Sequence, residues 1–275
     1  MPFKASIIIS FYNKFDWLKL VLKALERQTE KQFEVIIADD GSKESVVGAI
    51  HEYIQTSPLS IQHLWHPDTG FLKTTMLNKA IVASKSEYLI FIDGDCIPHK
   101  NFIEDHIRLA APREVIIGRR VNLSDAISQK ITPEAISKGF LEGAFFIKLL
   151  ADSILNKSKD VEKGIHVQSD LINRRFGSYN KGLLGCNFSV SKHTIIEVNG
   201  FDERYTSPCV GEDTEIAYRF LQHGLKLFMP KFALVQYHLW HKRISRALEA
   251  ENLKLFEETK TNKYTRTPYG IVKGK

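Results

Sequence analysis

Short runs of consecutive apolar residues alternate, over the first hundred positions, with longer stretches in which apolar residues recur every three or four. Ala5 to Ser10 (Ala-Ser-Ile-Ile-Ile-Ser) reads as a buried strand. Trp17, Leu18, Val21, Leu22 and Leu25 then mark one face of a helix, with Asp16 near its start where the helix dipole favours a carboxylate. Phe33 to Ala38 is a second strand and Glu44 to Gln55 a helix. Ser60 to Trp65 is a third strand, Gly70 to Ser84 a helix, and Tyr88 to Ile92 a fourth strand. Strands alternating with helices predict an α/β fold: a mostly parallel, doubly wound sheet with right-handed crossovers. The strands are continuously apolar rather than alternating, which agrees with burial on both faces.

Val115 to Arg119 reads as a fifth strand, and after it the pattern changes. From Asn122 to Phe176 the chain is helical and rich in Lys and Ser, with apolar positions at Phe140, Leu141, Phe145, Phe146, Leu149, Leu150, Ile154 and Leu155. This predicts a helical insert. It either packs on the sheet or, with Lys138, Lys148, Lys157, Lys159, Lys163, Arg174 and Arg175 nearby, rests on a membrane surface. Strand and helix signals resume at Asn187 to Val190, Lys192 to Val198, Asp213 to His223 and Leu227 to Met229. A last helix is expected from Arg243 to about Thr261. The expected organisation is a nucleotide-binding half (1–121), the insert (122–176), an acceptor and catalytic half (177–242), and a C-terminal helix with a basic tail (243–275).

Composition narrows the class. A chain of 275 residues, 43% hydrophobic, can bury one large α/β core. Cys96, Cys186 and Cys209 are too widely spaced for a disulfide framework or a zinc pattern, which points to a reducing compartment. The opening Met1-Pro2-Phe3-Lys4 runs straight into a strand without a signal-peptide pattern, and no apolar run reaches membrane-span length. The expectation is a cytoplasmic protein, with room for contact at the inner face of the membrane. A net charge of +6 suits anionic ligands or an anionic surface. Without an aromatic-basic repeat, nucleic acid is not an expected partner.

The candidate chemistry gathers at strand ends. The fourth strand runs into Asp93-Gly94-Asp95, two carboxylates able to chelate a hard divalent cation, at the sheet edge where open α/β folds bind ligands. The second strand ends in Asp39 and Asp40; one can accept from a nucleobase imide or a ribose hydroxyl while the other supports the loop, and Asn13 can touch the same group. Asp68-Thr69-Gly70-Phe71-Leu72-Lys73 leads into a helix, where Gly70 permits close backbone approach and Lys73 can reach a phosphate. Gly211-Glu212-Asp213 opens another helix. It is either a cap or an acid pair in which Asp213 acts as general base and Glu212 orients an acceptor. His238 and His241 each offer an imidazole for the metal. Spacing does not decide between them, although His238 is preferred, and nitrogen beside carboxylate oxygen suits Mn²⁺, with Mg²⁺ as the alternative.

Taken in order, Ser-Ile-Ile-Ile-Ser-Phe-Tyr-Asn, Val-Ile-Ile-Ala-Asp-Asp-Gly-Ser, Asp-Thr-Gly-Phe-Leu-Lys, Phe-Ile-Asp-Gly-Asp, Gly-Cys-Asn-Phe-Ser-Val, Gly-Phe-Asp-Glu and Gly-Glu-Asp-Thr-Glu resemble the family 2 inverting glycosyltransferases of the GT-A fold. The resemblance spans residues 4 to 241 and leans toward the bacterial polysaccharide, chondroitin-polymerase-like branch. It implies that Asp39 binds uracil or ribose with Asp40 beside it, that Asp93 meets ribose or sugar, and that Asp95 ligates the metal with His238 completing the site. It also implies that Asn187 and the Gly185-Cys186 turn shape the sugar pocket, with Asp213 the base and Glu212 on the acceptor. Where many relatives carry Arg-Asn, this chain has Leu77-Asn78, so Lys73 is the expected source of positive charge. The implied reaction is a metal-dependent inverting transfer of a hexosyl or N-acetylhexosaminyl group from a nucleoside-diphosphate donor, UDP favoured. The implied acceptor is a saccharide or a lipid-linked glycan, extended by one sugar per encounter.

Three readings compete. A nucleotidyltransferase making a nucleotide-sugar would need a glycine-rich loop with a basic residue, and Ser10-Phe11-Tyr12-Asn13 is not one. A non-catalytic glycan-binding relative would be free to lose Asp95 or Asp213, yet both are present. A retaining transfer is opposed by the candidate base at Asp213.

Overall fold

A computed structural model describes residues 2–143, 145–155, 157–180, 182–207, 211–242 and 249–274; Cys209 and the expected helix start at Arg243 lie outside them. The first half runs β1 (Ala5–Phe11), α1 (Phe15–Glu26), β2 (Phe33–Asp39), α2 (Glu44–Thr56), β3 (Ile61–Leu64), α3 (Lys73–Ala83) and β4 (Tyr88–Asp93). These follow the hydrophobic pattern closely. The third helix is the exception: it starts at Lys73, and Gly70 to Leu72 form the loop ahead of it.

The chain continues through β5 (Cys96–Pro98), α4 (Phe102–Leu109), β6 (Glu114–Ile117), β7 (Arg119–Asn122), α5 (Asp125–Ser128), α6 (Pro133–Ser137), α7 (Phe145–Ile154) and α8 (Asp170–Phe176). It closes with β8 (Ser178–Tyr179), β9 (Asn187–Ser191), α9 (Lys192–Glu197), α10 (Glu212–Gln222), β10 (Lys226–Met229), β11 (Val235–His238) and α11 (Glu249–Thr261). Among the described residues the main sheet has eight strands in the order β3-β2-β1-β4-β9-β6-β10-β8. β3, β2, β1 and β4 are mutually parallel, as are β6 and β10, while β9 runs antiparallel between β4 and β6. One core packs Ile7, Ile9, Val35 and Ile90 against Leu18, Val21 and Leu25 of α1. The other packs Ile8, Ile36, Phe91 and Phe188 against Met76, Ile81, Ile216 and Phe220. Helices on both faces account for the uninterrupted apolar strands.

The single fifth strand expected over Val115 to Arg119 is two strands in two sheets. β6 joins the main sheet, whereas β7 joins a small sheet ordered β5-β11-β7. The division falls at Gly118, where a Cβ would lie 1.9 Å from the Asn187 amide oxygen. That amide group occupies the fork between the sheets, donating to the Arg119 and Leu234 carbonyls at 3.0 and 2.9 Å and meeting His106 Nε2 at 3.2 Å. Periodicity carries no trace of such a fork, because the chain is extended in both arms and only one glycine separates them.

The 122–176 segment consists of short helices. Ile131, Ile136, Leu141, Phe145 and Leu149 enter the same core as α1, and Arg27 ties it down through Glu142 at 2.9 Å. The outward face of α7 leaves Ile147 and Ile154 exposed. Among the described residues no helix is long and apolar enough to cross a membrane. The tail is docked: Asn199 donates to the Thr267 and Val272 carbonyls at 2.7 and 2.8 Å and accepts from Val272 N at 2.8 Å.

Candidate active site

The carboxyl ends of β1, β2 and β4 open onto one cavity of about 890 Å³. Asp40, Asp68, Gly70, Lys73, Asp93, Asp95 and Glu212 line it. Strand polarity produces this convergence: parallel strands end on the same edge, so acidic residues far apart in sequence become neighbours.

β11 pairs antiparallel with β5, setting His238 opposite Cys96, and the Leu239 amide donates to the Asp95 carbonyl at 3.0 Å. This carries both imidazoles to Asp95. His238 Nε2 and His241 Nε2 each lie 3.5 Å from Asp95 Oδ2. Ligand atoms of Asp95, His238 and His241 fall within 4.8 Å of one another. One carboxylate with two imidazoles is a donor set that suits a borderline divalent cation such as Mn²⁺. Burial pushes the Asp95 carboxyl up, but the hydrogen bond and charge of His238 outweigh it and hold the group below the ordinary range. His241 belongs to the trio as fully as His238 does. Asp93 faces Lys73 instead, at 3.7 Å, and is absent from this close trio.

Lys73 Nζ sits 3.2 Å from Glu212 Oε1 as well. Burial opposes its charge, yet Asp93 and Glu212 raise its pKa above the usual lysine value. Burial likewise raises the Asp93 and Glu212 carboxyls, with Lys73 pulling the other way in both. Lys73 is thus a fixed cation among three carboxylates: Asp93, Glu212 and Asp213. Leu77 and Asn78 are buried, and the Asn78 amide donates to the Phe201 carbonyl and to Glu203, each at 2.9 Å. Asp213 follows Glu212 in the first turn of α10 and accepts from its neighbour Thr214 N at 2.7 Å. Gly185 packs against it, since a Cβ there would meet the Asp213 Cβ at 3.1 Å.

Five expected site residues are not among those that line the cavity: His238 and Asp213, whose partners His241 and Glu212 do line it, and Asp39, Asn13 and Asn187. Asp39 is fully buried, accepting from Ser42 N and pairing with His63 Nε2, both at 2.9 Å. Asp40, and not Asp39, lines the cavity. Asn13 holds two loops together; its backbone N–H donates to Ser42 Oγ at 2.7 Å and its side-chain oxygen accepts from Lys43 N at 2.9 Å. Asn187 is 0% exposed and fills the fork between the sheets, which corrects its placement in a sugar pocket.

Sequence reasoning missed Tyr12, Trp17 and Phe71, which give the cavity aromatic walls. It also missed His66, whose Nε2 contacts Asp40 Oδ1 at 3.2 Å. A lone histidine in a polar loop carries no pattern that would have found it. Arg120 went unnoticed too; it donates to Cys186 Sγ at 3.4 Å and feels the Asp93 charge.

The profile of the family described as "Glycosyl transferase family 2" matches residues 6–171. The chain belongs to glycosyl transferase family 2. The profile "N-terminal domain of galactosyltransferase" matches residues 165–243 of this family 2 protein, the part that carries Glu212, Asp213 and both histidines. Chondroitin synthase of Escherichia coli is 28% identical over 233 residues, covering 80% of this chain and 32% of that protein. Hyaluronan synthase of Pasteurella multocida is 26% identical over 245 residues, covering 85% of this chain and 24% of that protein. The chain thus spans between a quarter and a third of the length of these relatives. Among solved structures, a mannosyltransferase from Pyrobaculum calidifontis, in complex with GDP-Man and Mn²⁺, has a TM-score of 0.59 at 16% identity, covering 98% of this chain and 68% of that one. Staphylococcus aureus TarS also scores 0.59 at 16% identity, covering 94% and 40%. The GT-A fold of this family 2 chain is therefore shared with distant glycosyltransferases.

Proposed function

We propose that this protein transfers a hexosyl or N-acetylhexosaminyl group from a nucleoside-diphosphate donor, UDP favoured, to a saccharide or lipid-linked glycan acceptor, with inversion at the anomeric carbon. One observation carries the reading: Asp95 and His241, which form a close trio with His238, line the same cavity as Asp40 and the Lys73–Glu212 pair that opens α10. A nucleotide-sugar needs those elements together, with a base acceptor at one end, a cation site for the diphosphate, and a carboxylate at the transfer point.

In this reading Asp40 accepts a hydrogen bond from the nucleobase while the Tyr12 and Phe71 rings border it. Lys73 neutralises phosphate charge. Asp95, His238 and His241 would hold a divalent cation, which when bound supplies positive charge to the leaving diphosphate. Glu212 orients the acceptor. Asp213 takes the acceptor hydroxyl proton as that oxygen bonds to the anomeric carbon and the bond from that carbon to the diphosphate oxygen breaks. Support for Mn²⁺ comes from the mixed nitrogen and oxygen donor set.

Calorimetry with UDP-, GDP- and dTDP-sugars, each with Mn²⁺ and then with EDTA, tests the reading. The expected result is metal-dependent binding of a UDP-sugar, lost in Asp95→Ala and weakened in both His238→Ala and His241→Ala. Failure of every nucleotide to bind in the presence of metal would refute it and favour a non-catalytic glycan-binding role.

A further inference from the structure

Asp40 is the carboxylate that, in the reading above, the cavity offers to a nucleobase, and Leu72 and His66 both contact it. The Leu72 N–H donates to both Asp40 oxygens at 3.0 Å. His66 contacts Oδ1 through Nε2 at 3.2 Å, and its other ring nitrogen, Nδ1, lies 2.7 Å from the Pro67 carbonyl. A carbonyl oxygen only accepts, so Nδ1 must carry a proton. The Nε2 contact to Asp40 then needs a second proton, held either by an imidazolium or by the Asp40 carboxyl. A neutral His66 beside an ionised Asp40 would set two lone pairs against each other.

We infer that His66 is a positioning residue that, as an imidazolium, keeps Asp40 an ionised, acceptor-only group and so sets the site's preference for nucleobases bearing an imide N–H. This rests on the donor reading above. Uracil presents an imide N–H at the ring position where cytosine presents a lone pair. An ionised Asp40 attracts the first and repels the second. Asp68, two residues on, interacts electrostatically with both His66 and Asp40, and Tyr12 from the β1 loop donates to Asp68 at 2.9 Å. On β3, His63 is paired with Asp39 rather than with Asp40. The other charged groups around the cavity are Lys14 and Lys242, Lys73 with Glu212, and Asp93 and Asp95. Burial raises the Asp40 carboxyl, and the Leu72 and His66 hydrogen bonds oppose that rise.

Removal of the Nε2 proton leaves Nδ1 with the one bonded to the Pro67 carbonyl. Asp40 then faces the Nε2 lone pair, and the repulsion moves it from the position in which it meets the nucleobase. Affinity for UDP is therefore highest while Nε2 holds its proton and falls once rising pH removes it.

The test is calorimetric titration of UDP and CDP at saturating Mn²⁺ from about pH 6 to about pH 8, in buffers of different ionisation enthalpy, on the wild type, His66→Gln and His66→Leu. His66→Gln retains an N–H donor that does not titrate. Subtracting its pH profile removes the contribution of the metal-site histidines, which both proteins share. Expected are net proton uptake on UDP binding by the wild type at the alkaline end, absent in His66→Gln, and a fall in UDP affinity with pH that flattens in that variant. His66→Leu should bind UDP about tenfold more weakly and lose most of the UDP-over-CDP preference, as befits removal of a charged hydrogen bond. Identical pH profiles for wild type and His66→Gln, or an unchanged UDP-to-CDP ratio in His66→Leu, would overturn the assignment while UDP binding by the wild type left the donor reading standing. Failure of the wild type to bind any nucleotide would overturn both.

Discussion

Gly118→Ala tests whether the fork between the two sheets is held by one amide. The added Cβ would lie 1.9, 2.1 and 2.2 Å from Oδ1, Cγ and Nδ2 of Asn187, and no real contact is so short. The Asn187 side chain must leave. Its departure strips a hydrogen bond from the Arg119 carbonyl, one from the Leu234 carbonyl and one from His106. Leu234 keeps its bond from Arg119 N at 3.0 Å, so it is only partly deprived. At about 1–1.5 kcal/mol for each buried bond, the loss comes to roughly 3–4 kcal/mol. Asn187→Ala removes the same three bonds without a clash and should cost a similar amount. The two changes should not add, because in an Asn187→Ala background the space beside Gly118 is empty and Gly118→Ala should be nearly neutral. Urea unfolding of the wild type, both single variants and the double variant gives the cycle, with an expected coupling of about 3 kcal/mol. Since β7 and β11 belong to the small sheet, Mn²⁺ affinity at Asp95 and His238 should fall in parallel. Additive losses, or a Gly118→Ala variant within about 0.5 kcal/mol of wild type, would refute the account.

Two further outcomes are expected. Arg219 and Glu215 form a fully buried pair with two 2.7 Å contacts, and Arg219 also donates to the Val198 and Gly200 carbonyls; Arg219→Leu should destabilise by about 3–5 kcal/mol in urea unfolding, and a loss under about 1 kcal/mol would contradict that. Burial lowers His106 to about 3 and His99 to about 4, from an ordinary 6.5. Each depressed pKa lets the unfolded chain take a proton that the folded one refuses. Their contribution is therefore intact above pH 6.5 and lost as pH falls below it, by up to about 1.4 kcal/mol per pH unit for each histidine. Unfolding free energies that stay level from pH 7 to pH 5 would contradict this.

The sequence was most legible where structure is local. Apolar runs from Ala5, Phe33 and Tyr88 are strands because strands buried on both faces need apolar side chains throughout, and α1 shows its spacing because one face meets the core. The acidic strand ends were legible for a related reason: a buried strand that stops at Asp39-Asp40 or at Asp93-Gly94-Asp95 announces the edge of the sheet.

Pairing between distant segments was decided by tertiary structure alone. Sequence places Asp39 and Asp40 together, but the partners His63 and His66 determine which one faces the cavity. Sequence offers His238 and His241 as alternatives, and the antiparallel pairing of β11 with β5 brings both to Asp95. An asparagine opening a strand looks like a ligand contact until Gly118, 69 positions earlier, leaves a space of its size in the core. In each case the deciding quantity is a distance between residues far apart in the chain, set by strand order and register, and a linear pattern records neither.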